Sequence, residues 1–164
     1  MLLRPTSDAD LDIFLSWIPD EEAMVLWTGP TFSWPLNRVQ LERYLVNAKR
    51  QYWTGIDETT GAIVGHGTLL LDDEGRTCRL GSVIVDPGRR GEGLGRKLME
   101  LLKATAYGTT TVTELTLGVI AHNSAARSLY ESLGFRGSEV VRRTPMGDQE
   151  WEVISMRQSR QHQN

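Results

Sequence analysis

The sequence predicts an α/β domain built around a mixed sheet, on three observations. Segments 51–57, 62–71 and 77–85 are rich in β-branched and aromatic residues and are separated only by short, polar, glycine-containing connections, which is the pattern of successive antiparallel strands. Further on, two segments with apolar residues at helical spacing, 94–107 and 124–133, enclose a short apolar run at 115–120. Strands and helices therefore alternate in one chain, as they do when helices cover the faces of a sheet.

From the N-terminus, Leu2 to Arg4 is a short apolar stretch ahead of Pro5, and Thr6, Asp8 and Asp10 precede Leu11, Ile13, Phe14, Leu15 and Trp17. That is a strand followed by a capped helix. Pro19 to Pro35 contains three prolines and Gly29, with Trp27, Phe32 and Trp34 between them, and reads as an aromatic loop without regular structure. Leu41, Tyr44, Leu45 and Ala48 then recur at spacings of three and four, which predicts a second helix over 36–50. Glu58 to Gly61 and Asp72 to Arg76 supply the turns between the three central strands. The third of these ends at Asp86-Pro87-Gly88 and leads to the helix at 94–107, the strand at 115–120 and the helix at 124–133, which Gly134 closes. A last strand pair, 135–143 and 150–156, surrounds Thr144 to Asp148. The expectation is seven strands and about four helices in one domain over 1–157, with a polar tail at 158–164.

Composition narrows the classes of function. Hydrophobic residues are 40% and charged residues 24% of the 164, ordinary globular usage, and one core of useful size fits that length. A net charge of -3 gives no global field favouring nucleic acid or an anionic membrane, so any anion must be held locally. Met1 to Asp8 lacks the apolar stretch of a secretory signal and no run of eighteen apolar residues occurs, so a cytoplasmic protein is expected. Cys78 stands alone, which excludes an internal disulfide and a cysteine-rich zinc site, and no metal is expected.

The strongest signal runs from Val83 through Asp86-Pro87-Gly88-Arg89-Arg90 to Gly91-Glu92-Gly93-Leu94-Gly95-Arg96-Lys97. A strand feeds a turn with three alternate glycines, and a helix follows. Without a Cβ, Gly91, Gly93 and Gly95 allow successive amides to point into one space. Those donors open a helix, whose N-terminus favours a phosphate, and Arg89, Arg90, Arg96 and Lys97 add four nearby cations. The P-loop spacing is absent, and the dinucleotide pattern would put Arg96 where its last glycine belongs. A turn with no ligand would need fewer glycines, because each one costs backbone entropy.

Arg90-Gly91-Glu92-Gly93-Leu94-Gly95 with its Val-Asp-Pro lead-in resembles the Arg/Gln-x-x-Gly-x-Gly/Ala signature of the GNAT acetyltransferases. A second stretch is similar to that family's second motif, with Asn123 at a strand-to-helix junction, Tyr130 seven residues later, and Gly134-Phe135 after another four. The resemblance implies the GNAT fold, with a mixed, mostly antiparallel seven-stranded sheet whose fourth and fifth strands splay into a wedge for acetyl-CoA. It further implies that Val83, Ile84 and Val85 pair with the pantetheine arm like an added strand, that Gly91 to Arg96 hold the pyrophosphate with Arg90 also binding the coenzyme, and that Asn123 contacts the coenzyme. Tyr130 would lie near the thioester sulfur and protonate the departing thiolate, its bland alternative being a core tyrosine beside Leu129 and Leu133. The implied reaction is direct acetyl transfer to a primary amine of a small molecule, an amino-acid-like compound or a protein N-terminus. The other reading is an acyl-CoA-binding module that has lost catalysis; a nucleotide-dependent phosphotransferase would instead need ATP and magnesium. Small members of the family often form dimers, so a monomer or a homodimer is expected.

The sequence departs from familiar members at the general base. Carboxylates that some relatives carry in the fourth and fifth strands would fall on Arg79 and Gly118, neither of which accepts a proton. His66, Glu21, Glu22 and His122 remain as candidates, each with an alternative structural or solvated role. Trp27 and Trp34, with Phe32 and His66, fall where the family builds its acceptor pocket, although the aromatic residues would equally anchor a long loop. Arg142 and Arg143 either attract an acidic acceptor or form a solvated basic hairpin. Cys78 has no histidine beside it in sequence and is not expected to act as a ping-pong nucleophile.

Overall fold

A computed structural model describes residues 1–160. The first strand, β1 (Leu2–Pro5), leads through a 3-10 turn into α1 (Leu11–Ser16), α2 (Glu21–Thr28) and α3 (Arg38–Tyr44). The meander β2 (Arg50–Ile56), β3 (Ile63–Leu71) and β4 (Thr77–Val85) comes next, followed by α4 (Leu94–Gly108), β5 (Glu114–Ile120), α5 (Ser124–Ser132), β6 (Arg136–Met146) and β7 (Gln149–Ser159). All seven strands form one sheet in the order β1-β2-β3-β4-β5-β7-β6.

Several elements differ from the sequence expectation. The aromatic loop contains α2, because Pro19 and Pro30 bracket a proline-free stretch and the Asp20 carboxylate caps it by accepting from the Ala23 amide at 2.8 Å. The helix expected to reach Arg50 stops at Tyr44. Asn47 turns the chain by accepting from the Lys49 amide, and the Tyr52 hydroxyl bonds the Tyr44 carbonyl, so both compete with further helix. The last strand also runs past Met156 to Ser159, and the Arg160 amide bonds the Thr113 carbonyl. The rest of the expected polar tail, 161–164, lies outside the described residues.

The sheet separates two cores. On one face, Leu98, Met99, Leu102 and Ala106 of α4 pack with Leu69, Cys78, Leu80, Leu115, Leu117 and Phe135. Gly65 and Gly67 on β3 let α4 come close: a Cβ at Gly67 would sit 2.6 Å from a Leu102 methyl. On the other face, Leu11, Phe14, Trp17, Met24, Trp27, Phe32 and Leu41 join α1, α2 and α3 into a second cluster. Among the described residues no helix is long and apolar enough to cross a membrane.

Candidate active site

The one parallel pairing in the sheet creates the site. β4 and β5 pair only through Thr77–Glu114, Cys78–Leu115 and Arg79–Thr116. Past Thr116, β5 continues against β7 as far as Ile120, while β4 stays with β3 as far as Val85. The two strands therefore diverge, and the β4 edge from Leu80 onward faces a cleft instead of a neighbouring strand.

A β-bulge sharpens the divergence. Register slips between His66 and Thr68 on β3 against β4, and Ser82 takes a positive φ of 49°, which a residue with a Cβ rarely adopts. Its turned carbonyl accepts the Trp27 indole N–H at 2.8 Å, tying α2 to the bulge. Nothing in the residue type of Ser82 announces this conformation. The cleft passes between the two faces of the sheet: Leu26 and Trp27 line it from α2, Asn123, Ala126 and Tyr130 from the α5 side, and Gly81 to Val83 with Leu117 to Val119 form its walls.

At the mouth of the wedge the glycine run forms the turn into α4. Gly91 and Gly93 have φ of 84° and 77°, and a Cβ on either would meet nothing within 4 Å, so backbone conformation, not space, selects glycine there. Gly93 is the left-handed N-cap of α4 and, lacking a side chain, caps no amide. The Lys97 amide is the first in this helix to find a carbonyl, that of Gly93. Among the described residues the amides of Gly91, Glu92, Gly93, Leu94, Gly95 and Arg96 donate to no protein acceptor. Six unsatisfied donors at a helix N-terminus are a seat for an anion.

Of the four cations expected beside it, Arg89 is committed elsewhere. Its guanidinium bonds Asp57 at 2.6 Å and Glu92 at 2.7 Å, bracing the turn against the β2–β3 hairpin. Arg96 donates to the Ser132 hydroxyl at 2.7 Å and links the turn to α5. Arg90 and Lys97 are exposed.

Asn123 caps α5, its side-chain oxygen accepting from the Ala126 amide, and it also lines the cleft. Tyr130 reaches the cleft from the next turns of the same helix, with its ring 6.3 Å from that of Phe135. Burial pushes its phenol up to about 12, so the hydroxyl keeps its proton at any ordinary pH.

The four residues expected in an acceptor pocket separate, and Phe32 is buried with its ring 5.7 Å from that of Trp27 and 5.4 Å from that of Tyr44. Trp27 lines the cleft. Trp34 is 41% exposed on the loop beyond α2 and is not among the cleft-lining residues. His66 is fully buried, with Nδ1 3.3 Å from the Thr6 hydroxyl, Nε2 3.1 Å from the Tyr44 hydroxyl and its ring against Phe14. Burial holds its pKa down to about 3, so it is a neutral core group with both nitrogens occupied, not a base at the cleft. Glu21 and Glu22 stand in the first turn of α2, at the opposite end from Leu26 and Trp27. His122 lies outside the cleft, edge-on to Trp151. Cys78 is buried and burial raises its thiol to about 11, which removes it as a nucleophile.

Arg79 and Arg142 converge on the cleft wall. A Cβ on Gly118 would lie 3.1 Å from a terminal nitrogen of Arg79 and 3.4 Å from one of Arg142. The alternation of β4 gave a signal for this: Arg79 stands between Cys78 and Leu80, both turned into the α4 core, so its side chain goes to the face that carries α2.

Comparison with known proteins agrees with this geometry. A solved spermidine N-acetyltransferase from Vibrio cholerae, in complex with CoA and spermine, superimposes with a TM-score of 0.82 over 96% of this chain and 94% of that one, at 18% identity. In sequence, the chain is 44% identical over 74 residues to the [ribosomal protein bS18]-alanine N-acetyltransferase of Salmonella typhimurium, covering 45% of this chain and 47% of that protein. It is 34% identical over 94 residues to the N-acetylaspartate synthetase of Xenopus tropicalis, covering 55% of this chain and 32% of that protein. The chain thus spans about half or less of the length of the curated relatives it matches. Residues 20–135 match the acetyltransferase (GNAT) family throughout, from α2 across the wedge and the α4 turn to Phe135. With the splayed β4–β5 pair and the donor-rich turn in place, the chain belongs to the acetyltransferase (GNAT) family.

Proposed function

We propose that this protein transfers the acetyl group of acetyl-CoA directly to a primary amine. The observation that carries the reading is the row of unspent amides from Gly91 to Arg96 at the start of α4, opening onto the unpaired β4 edge. A pyrophosphate fits the turn, with Arg90 and Lys97 beside it. From there the pantetheine arm runs along Val83, Ile84 and Val85 as an added strand, past Asn123, and brings the thioester to Tyr130.

Acyl transfer needs a neutral amine, donors for the developing oxyanion and a proton for the departing thiolate. A β4 amide at the bulge donates to the acetyl oxygen. The amine attacks the carbonyl carbon, the C–S bond breaks, the Tyr130 hydroxyl gives its proton to sulfur, and the proton shed by the new amide nitrogen restores the phenol. Trp27 closes the cleft from the opposite face, where the acceptor enters.

Arginine at 79 and glycine at 118, where some relatives carry carboxylates, favour a second reading: an acyl-CoA-binding sensor. Both proteins gain thermal stability with acetyl-CoA by binding linkage. Only the enzyme releases free thiol when acetyl-CoA is mixed with a panel of amino acids, peptides and polyamines. Thiol release with none of them, alongside intact binding of acetyl-CoA, establishes the sensor instead.

A further inference from the structure

The acceptor side of the cleft carries a group of cations that the acetyl-transfer reading does not use. Arg50, Leu70 and Arg79 stand in register across β2, β3 and β4, so both arginines project from the same face of the sheet. Arg50 reaches forward: one of its nitrogens bonds the Thr68 hydroxyl at 3.4 Å and lies 3.9 Å from where a Gly81 Cβ would be. One terminal nitrogen of Arg142, from β6, lies 4.0 Å from the corresponding point at Gly29, the residue that ends α2, and 3.4 Å from that at Gly118. Gly81 and Gly118 are both walls of the cleft.

The neighbours of this group are balanced and the group is not. Arg143 faces Glu150 and Glu152, and Arg157 faces Glu114. Among the described residues Arg50, Arg79 and Arg142 have no carboxylate within ion-pair distance. Arg79 is held below the usual arginine range by burial first, and then by the charges of Arg142 and Arg50, so its guanidinium feels the other two. Glycine at 118 is what lets two of them close on one point, since a side chain there would meet both.

Like charges gathered at one wall of a cleft call for an anion, and planar guanidinium forks match a carboxylate. We propose that Arg79 and Arg142, with Arg50 behind them, bind a carboxylate of the acceptor, making the substrate an amino-acid-sized primary amine that carries at least one carboxylate. The inference rests on the acetyl-transfer reading and narrows its acceptor. It sets this cleft apart from one that takes a polyamine, which three arginines would repel. One carboxylate leaves a net positive field, which lowers the pKa of an ammonium beside it and so favours the neutral nucleophile without a general base.

The test pairs substrates that differ only in that charge. Thiol release is followed with glutamate, aspartate and alanine against their amides and against spermidine, in the wild type, R79Q and R142Q. The acids are expected to exceed their amides at least tenfold in kcat/KM, and each substitution is expected to cut that preference about tenfold, chiefly through KM. Equal rates for acids and amides, a preference for spermidine or for peptides with a blocked C-terminus, or a preference untouched by either variant overturns the proposal. If no amine releases thiol, acetyl transfer itself fails, and the carboxylate site is still tested by titrating glutarate into the coenzyme-A-saturated protein calorimetrically. Saturable binding that weakens about tenfold in R142Q supports the site; no binding, or binding indifferent to R79Q and R142Q, overturns it.

Discussion

The two faces of the sheet handle recognition in opposite ways. On the α4 face the groups proposed to meet the coenzyme are mainly backbone: the amides of Gly91 to Arg96, the edge of β4, and a helix N-terminus. On the α2 face the groups proposed to meet the acceptor are side chains, Trp27 above the cleft and Arg79 and Arg142 beside it. Backbone recognition depends on conformation, which glycine spacing advertises, whereas side-chain recognition depends on which distant residues meet.

The largest expected effect falls where the two faces join, at Tyr130. If its hydroxyl protonates the leaving thiolate, Tyr130→Phe lowers kcat by roughly 10²–10⁴-fold, the range of general acid catalysis, with little change in the KM for acetyl-CoA. Steady-state thiol release measures both. Because the phenol is pushed up to about 12, the wild-type rate shows no loss from its ionisation below that pH. A kcat within threefold of the wild type returns Tyr130 to the role of a core tyrosine against Phe135.

Next in size is a stability effect confined to the N-terminal lobe. Asp10 is 2% exposed and accepts from Arg4 at 2.7 and 2.8 Å, from the Ser7 amide at 3.0 Å and from Thr54 at 2.8 Å. Burial alone would raise its pKa, but these partners outweigh burial and bring it down to about 2. A depressed carboxylate stabilises the fold above its unfolded pKa of about 3.9, and that contribution is lost as pH falls toward 2. Asp10→Asn is expected to cost about 2 kcal/mol at pH 7 in urea unfolding, and the gap between variant and wild type should close as the pH approaches 2. The affinity for coenzyme A should not move, since Asp10 lies across the sheet from the α4 turn. A gap that is constant with pH would show that packing, not charge, is what the substitution removes.

Gly93→Val asks whether the coenzyme face is read through backbone conformation. A β-branched residue at φ 77° costs about 1–2 kcal/mol in the left-handed region while meeting no atom within 4 Å. If the turn relaxes to avoid that cost, the amides lose their convergence. The KM for acetyl-CoA is then expected to rise about tenfold, with the acids-to-amides preference unchanged. An unchanged KM would mean that the pyrophosphate is held by Arg90 and Lys97 alone.

How much of this was legible in the sequence follows the same division. Three alternate glycines after Val-Asp-Pro announced the turn, and Asn123, Tyr130 and Gly134 announced the second motif, because local conformation needs those residue types at those spacings. All seven strands were also readable, from alternation and turn chemistry. The aromatic loop was not: two prolines that bracket α2 read as breakers of the whole stretch, though the Asp20 cap was there to mark a helix start. Ser82 was invisible, since nothing local distinguishes a serine that will take φ 49° within a bulge. The meeting of Arg50, Arg79 and Arg142 depends on three strands far apart in sequence, and only the register of the folded sheet brings them together. His66 misled for the converse reason, as a histidine in a strand near the site gives no hint that both its nitrogens are taken up in the core.

The smallest effect tests how far the acceptor face extends. Trp34 was grouped with Trp27 by composition, yet Trp27 is 7% exposed and fixed to the Ser82 carbonyl, whereas Trp34 is 41% exposed on the loop that follows. A ring this exposed and outside the cleft lining contributes little, and surface substitutions of this kind change stability by about 0.5 kcal/mol or less. Trp34→Ala is therefore expected to leave the unfolding midpoint, and kcat/KM for the best acceptor, close to the wild type. Trp27→Ala should impair both, since it empties a buried site and frees the bulge. If Trp34→Ala instead raises the acceptor KM severalfold, the acceptor face reaches beyond the cleft to this loop.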